Sequence, residues 1–214
     1  METSRARRAD SGAIDADAPS PGQETLLRAA LDAFVEHGFH GTSMRDIAAR
    51  AGMSVSASYY YFPSKHHLLM RIMTQVTEDL LTALEQARDA AGNHPAARLA
   101  AVVRAHVLLH TERQAESFIG SSEVRSLLPK DRAATVILRD RVSAVFKEVV
   151  ADGLRRSVFH CEHRAEAILA IITMCTAVAS WYRSGGAQTP QAIADRYAAL
   201  SLRMLGYTPA RDDE

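Results

Sequence analysis

The sequence predicts an all-α protein of about nine helices. Three observations carry that expectation. Apolar residues recur three and four positions apart over most of the chain, and no stretch alternates apolar with polar as a strand does. Alanine is abundant, while glycine (11) and proline (7) are sparse in 214 residues, a composition that favours helix. The glycines and prolines fall between periodic segments, beside Ser and Thr at the positions of caps.

Residues 1–21 are Arg, Asp, Ser, Ala, Pro and Gly without periodicity, and are read as a flexible arm carrying Arg5, Arg7 and Arg8. A first helix is expected from about Gln23 to His37, with Leu27, Leu31, Phe34 and Val35 on its apolar face and Gly38 as C-cap. Thr42 or Ser43 caps a second helix, and Asp46 suits its positive end. Ile47, Ala48 and Ala51 face inward, and Gly52 ends the helix in a sharp turn. Ser54 caps a third, Val55 to Phe62, stopped by Pro63. Ser64 caps a fourth that runs to about Ala91, and Pro95 opens a fifth to roughly Ala115. Further helices are expected over Ser117 to Leu128, Asp131 to Leu154 and Arg164 to Tyr182. The last of these is apolar on nearly all sides and is read as buried. Thr189 and Pro190 start a ninth, with Ile193, Tyr197, Leu200 and Met204 in one stripe.

Composition narrows the function classes. Hydrophobic residues make up 47% and charged residues 23%, ordinary for a soluble globular protein. Lys plus Arg equals Asp plus Glu at 25 each, so no global positive field marks an architectural, non-specific DNA binder. Two cysteines, Cys161 and Cys175, make no disulfide framework, and a cytoplasmic location is expected. The longest apolar stretch, Ala165 to Trp181, is short for a membrane span, and no membrane partner is expected. There is no Gly-rich phosphate loop, defensible nucleophile–base order or placed carboxylate pair, so an enzyme is not expected, nor a cofactor. His106 and His110 stand four apart, and His160, Cys161 and His163 cluster in a link. Neither group has a full ligand set, so no metal is expected.

Residues 42–65 carry the functional signal: two short helices, a tight turn between them, an aromatic end and the start of a further helix. That is the layout of a helix-turn-helix. Ser54, Ser56 and Ala57 are small enough to let the third helix sink into a major groove and reach base edges. Tyr59 and Tyr60 project about 100° apart, so that one lies on the sugar-phosphate backbone while the other reaches bases. Thr42, Lys65 and the N–H groups behind Ser64 stand at helix starts, where phosphates bind. Arg45 is a base or phosphate contact, Tyr61 and Phe62 are read as core, and Arg50 as a solvated charge.

The run Gly38-Phe39, Thr42-Ser43, Ile47-Ala48-Ala49, Ala51-Gly52-Met53-Ser54 and Tyr59 to Leu69 resembles the DNA-binding domain of the TetR family of bacterial transcriptional repressors. Three positions depart from the family pattern. Val55 replaces a frequent Lys or Arg, Ser56 a Gly, and Ser58 a Leu or Ile. The Ser58 hydroxyl is expected to bond a preceding carbonyl. The resemblance implies a DNA-binding domain over 22–70, a ligand-binding and dimerisation domain over 71–208, and a tail over 209–214. It implies a homodimer on palindromic double-stranded DNA, released by a small effector. Trp181 to Gly186 with Thr189-Pro190 is similar to a stretch in repressors of fatty-acid, acyl-CoA and sterol catabolism, which points to an acyl-CoA or other lipophilic effector.

On that pattern the pocket candidates are Met73, Val76, His106, His110, Phe118, Met174 and Val178, with Glu123, Arg104 or Arg125 as polar anchors. The dimer-interface candidates are Ile171, Cys175, Tyr182, Ile193, Tyr197, Leu200 and Met204. Activation instead of repression is the alternative within this fold, and architectural or non-specific DNA binding the alternative outside it.

Overall fold

Most helix boundaries fall near the hydroxyl caps, glycines and prolines of the sequence, while the α5–α6 break is set by tertiary contacts. A computed structural model describes residues 19–209, so Arg5, Arg7 and Arg8 of the arm and residues 210–214 of the tail lie outside the described residues. Among the described residues there are nine α-helices, one 3-10 turn and no strand.

Helix α1 spans Pro21–His37 and starts two residues before Gln23, because Ser20 and Gln23 form a reciprocal capping box. Its buried face is Leu26, Ala29, Ala30, Ala33 and Phe34. Val35, expected inward, is 46% exposed, and Leu27 and Leu31 are half-buried. Small alanines, not the larger neighbours, let α1 approach its partners. Helix α2 spans Met44–Arg50 and is capped by Ser43, whose hydroxyl and amide pair with Asp46. Gly52 then takes a φ of +65°, a backbone that L side chains rarely adopt. Helix α3, Val55–Tyr61, is capped by Ser54. Helix α4, Lys65–Ala90, is the long connector.

Helix α5 spans Pro95–Glu112 and α6 spans Gln114–Ser122, followed by the 3-10 turn Glu123–Ser126. The chain breaks at Arg113, earlier than expected and with no glycine or proline there. Four contacts hold the break. Arg113 pairs with Asp79 on α4 and with Glu116. Gln114 donates to the carbonyls of Ala179 and Tyr182 at 3.0 and 2.7 Å. Helices α7, Pro129–Arg155, α8, Arg164–Trp181, and α9, Pro190–Met204, complete the fold.

Helix α8 corrects an expectation. It is not enclosed in the protomer: Leu169 (66% exposed) and Trp181 (44% exposed) stand open, with Thr173 and Ala177 exposed between them. Only its Ile168, Ile171, Cys175, Val178 and Ala179 face is buried. Helix α9 also presents two faces. Ile193, Ala194, Ala198 and Ser201 face the protomer core, while Leu200 and Met204 face out.

Two apolar cores result. One gathers α1–α3 and the start of α4 around Phe34, Phe39, Ile47, Leu68 and Leu69. The other gathers the rest of α4 with α5, α7, α8 and α9 around Leu84, Leu99, Phe146 and Ile171. Ile119 of α6 and Leu127 just past the 3-10 turn are inserted into the first core, not the second.

Candidate nucleic-acid interface and neighbouring cavity

The α2–turn–α3 unit sits on α1 and α4 through Met44, Ile47, Ala48 and Phe62, all buried. That leaves the outer side of α3 free. Ser54 and Ser56 are exposed and Ala57 is half-buried. Tyr59 and Tyr60 are 49% and 86% exposed. The exposure of Tyr60 is a physical anomaly, since an aromatic ring in water forgoes burial. Its only ring neighbour among the described residues is Tyr61, edge-on at 5.3 Å. Arg45 is exposed on α2 and makes no ion pair among the described residues. Ser58 is fully buried, and its hydroxyl donates to Val55 O at 2.7 Å, so the polar group is satisfied within the helix. Phe62 is core and Tyr61 is half-buried. Arg50 is not a lone solvated charge, for it pairs with Glu36.

Two residues expected to meet phosphates are internal fasteners instead. Thr42 is 2% exposed, and its hydroxyl lies 2.8 Å from Gly38 O and 3.1 Å from Ala33 O, closing the end of α1. Lys65 donates from Nζ to Phe39 O and Thr42 O, both at 2.8 Å, with the ammonium 4.4 Å from the Phe39 ring centroid. Its charge secures the α1–α2 turn and is not held out to solvent. At the start of α4 the Ser64 hydroxyl contacts His67 Nδ1 at 2.9 Å and caps no backbone N–H. The first amides of α4 are therefore left without a side-chain partner beside α3.

A cavity of about 210 Å³ lies between α4, α5, α6, α7 and α8. Of the pocket candidates, Val76, His106 and His110 line it. The others do not. Met73 is packed in the first core and Val178 in the second. Met174 packs against that second core, Phe118 is 37% exposed to solvent, and Glu123 accepts from Ser126 Oγ in the 3-10 turn. Arg104 is paired with Asp195, and Arg125 is exposed. For the apolar candidates, helical spacing identifies an inward face but not which neighbour that face meets.

The lining that sequence reasoning missed is Thr77, Ser117, Gly120, Arg139 and Thr176, with apolar Leu80, Val142 and Ile172. One signal was available. Thr135, Arg139, Val142 and Phe146 follow helical spacing on α7, which places an arginine on an otherwise apolar stripe.

Burial lowers the pKa of both histidines. That of His106 falls well below the usual value, helped by His110, and that of His110 falls to about 4. Both rings are therefore neutral at physiological pH. The His110 Nδ1–H then donates to His106 O at 2.9 Å. His106 Nε2 meets Thr176 Oγ1 at 3.2 Å.

Of the dimer candidates, Ile171, Cys175 and Ile193 are at most 1% exposed within the protomer, so they offer nothing to a partner. The Cys175 thiol is pushed up to about 12 by the same burial. Tyr182 and Tyr197 are half-buried, and Leu200 and Met204 are exposed. Leu169 and Trp181 of α8 are exposed as well.

The helix-turn-helix and the helices that follow it match known proteins. The profile described as "Bacterial regulatory proteins, tetR family" matches residues 26–72. That described as "Tetracyclin repressor-like, C-terminal domain" matches 92–205, more than half of the chain. The chain belongs to the TetR family. It has the fold of TetR transcriptional repressors and carries their DNA-binding helix-turn-helix.

A crystal structure of a TetR-family regulatory protein from Rhodococcus RHA1 is 30% identical with a TM-score of 0.85, covering 89% of this chain and 100% of that one. The transcriptional repressor KstR2 of Mycobacterium tuberculosis is 26% identical over 179 residues, 83% of this chain and 89% of that protein. The transcriptional regulator RutR of Escherichia coli is 40% identical over 72 residues, a match spanning 34% of either protein. AibR, solved in complex with isovaleryl coenzyme A and operator DNA, is 22% identical with a TM-score of 0.77 over 87% of this chain and 100% of that one, and shares the fold.

Proposed function

We propose that this TetR-family protein is a ligand-responsive, cytoplasmic repressor that binds a palindromic operator as a homodimer and is released by a small effector with an apolar body. One observation carries the reading. Helices α4 and α6 each touch both the cavity and the DNA-binding core. Val76, Thr77 and Leu80 line the cavity one turn beyond Ile72 and Met73 of the first core. Ser117, Gly120 and Ser121 line it around Ile119, which is inserted in that same core. A molecule that fits the cavity better when α6 has shifted biases the position of α3 by its differential affinity.

Ser56, Ala57, Tyr59 and Tyr60 are assigned to the major groove, Arg45 and the first amides of α4 to phosphates, and Ser54 to holding the start of α3. The open Leu169, Trp181, Leu200 and Met204 side is assigned to the twofold partner, which brings the two α3 helices about 34–36 Å apart, one turn of DNA. An acyl or other lipophilic effector is supported by the apolar flank of the cavity and by the coenzyme A ester in AibR.

Footprinting on the promoters flanking the gene tests this reading. The expected result is a protected palindrome that resists random-DNA competitor and is vacated on effector addition. Equal displacement by random DNA favours the architectural alternative and defeats the proposal.

A further inference from the structure

We infer that the cavity takes a compact carboxylate whose anionic end pairs with Arg139 at the rim and whose body extends toward His106 and Ser117. This rests on reading the cavity as the effector site.

Size comes first. At about 210 Å³ the cavity is below the roughly 300–1,000 Å³ of drug-sized sites. A whole coenzyme A ester is larger than this, so the cavity encloses a free acid completely, whereas the nucleotide of a thioester has to stay outside it.

Charge comes second. Arg88, Arg104, Arg113, Arg155 and Arg156 of the same half each meet an Asp or Glu within 4 Å. Arg139 meets none among the described residues, nor do Arg98 and Arg132, but of these three only Arg139 lines the cavity. Its guanidinium donates to Gly120 O at 2.6 Å, and Arg139 is exposed, which leaves further N–H donors of the fork open to solvent and to a ligand. Among the described residues no carboxylate lines the cavity. Both histidines there are neutral for want of solvation. Arg139 is thus the one cation of the lining among the described residues, and its planar fork suits a carboxylate.

Unmet polarity comes third. Two buried polar atoms of lining residues lack a hydrogen-bond partner: His106 Nδ1, on a residue 1% exposed, and Ser117 Oγ, on a residue 4% exposed. Leaving such groups unpaired is costly. Native interiors rarely leave two such atoms at one place without a ligand or an ordered water to meet them. An oxygen on the body of the acid, as a carbonyl or hydroxyl, meets that need, while Val142 and Ile172 cover its methylenes.

The test uses the full-length protein, with calorimetry for binding and operator release read in parallel. The probes are hexanoate, octanoate, decanoate and 4-oxooctanoate, with octanol and octanoyl-CoA as comparisons. The acids are expected to bind at least ten-fold tighter than octanol. Arg139→Gln should remove that preference, and Arg139→Lys should retain part of it. The 4-oxo acid should exceed octanoate, and Ser117→Ala should narrow that gap.

Equal binding of acid and alcohol, full acid affinity in Arg139→Gln, or binding of none of the acids overturns the inference. If Arg139→Gln does not fold, the acid–alcohol comparison on the unaltered protein decides. Acid binding that leaves the operator occupied supports this inference and defeats the effector reading. Release by octanoyl-CoA alone does the reverse.

Discussion

Lys65 and Tyr60, one on either side of the α3–α4 turn, show how a side chain's role depends on its partner. Lys65 has the residue type of a phosphate contact, yet two backbone carbonyls and the Phe39 face hold it. Lys65→Met should therefore lower stability by about 2 kcal/mol, the worth of charge-assisted hydrogen bonds, seen as a fall in melting temperature. Tyr60 is the opposite case, being 86% exposed. Tyr60→Ala should weaken operator binding about ten-fold at an unchanged melting temperature. A stability loss in Tyr60→Ala would mean that the ring is structural. The histidines make a third residue-level prediction. Folded His110 titrates at about 4 instead of 6.5, and no carboxylate in the cavity offsets it. The unfolded chain then binds more protons below pH 6.5, so stability is full above that pH and is lost as pH falls towards 4. The loss amounts to about 3 kcal/mol for His110. Melting scans at pH 7 and pH 4.5 should show the drop, and His110→Gln should show a smaller one. Types and most caps were legible at this scale: Ser43, Ser54 and Thr189 accept from the amide three residues on, whereas the Ser20 cap was not read and Ser64, read as a cap, caps no amide. Partners far along the chain, such as Phe39 for Lys65, were not.

At the level of elements, helices bounded by Gly, Pro and a hydroxyl cap were read nearly to the residue, since those signals act locally. The α5–α6 break at Arg113 was misplaced because its cause is Asp79 and the end of α8, which are distant in sequence. That break gives α6 its separate course, with Ile119 in one core and Ser117 at the cavity. The end of α7 depends on another long-range fit. At Gly153 a Cβ would overlap the Phe159 ring. Alanine is the better helix former, yet Gly153→Ala should destabilise by about 1–3 kcal/mol through overpacking. Combining it with Phe159→Leu should recover part of that loss in denaturant titrations. A neutral Gly153→Ala would show that the ring has room to move.

For the whole molecule, net charge is zero, so affinity for DNA has to come from where groups are placed and from presenting them twice. The uncovered side of α8 and α9 is where that doubling is proposed. Leu200→Glu with Leu169→Glu alters residues exposed in the protomer. It should leave secondary structure intact, shift the sedimenting species from dimer to monomer and abolish tight operator binding. A dimer that persists would move the interface elsewhere. The sequence by itself determined the all-α class, the helix-turn-helix and the family, because periodicity, caps and motif spacing are local and survive without knowledge of neighbours. Only the tertiary structure decided which face of α9 is core, that Thr42 and Lys65 are fasteners, and that Arg139 and His106 line one cavity. Those facts depend on which distant surfaces come together, and one-dimensional spacing does not encode that.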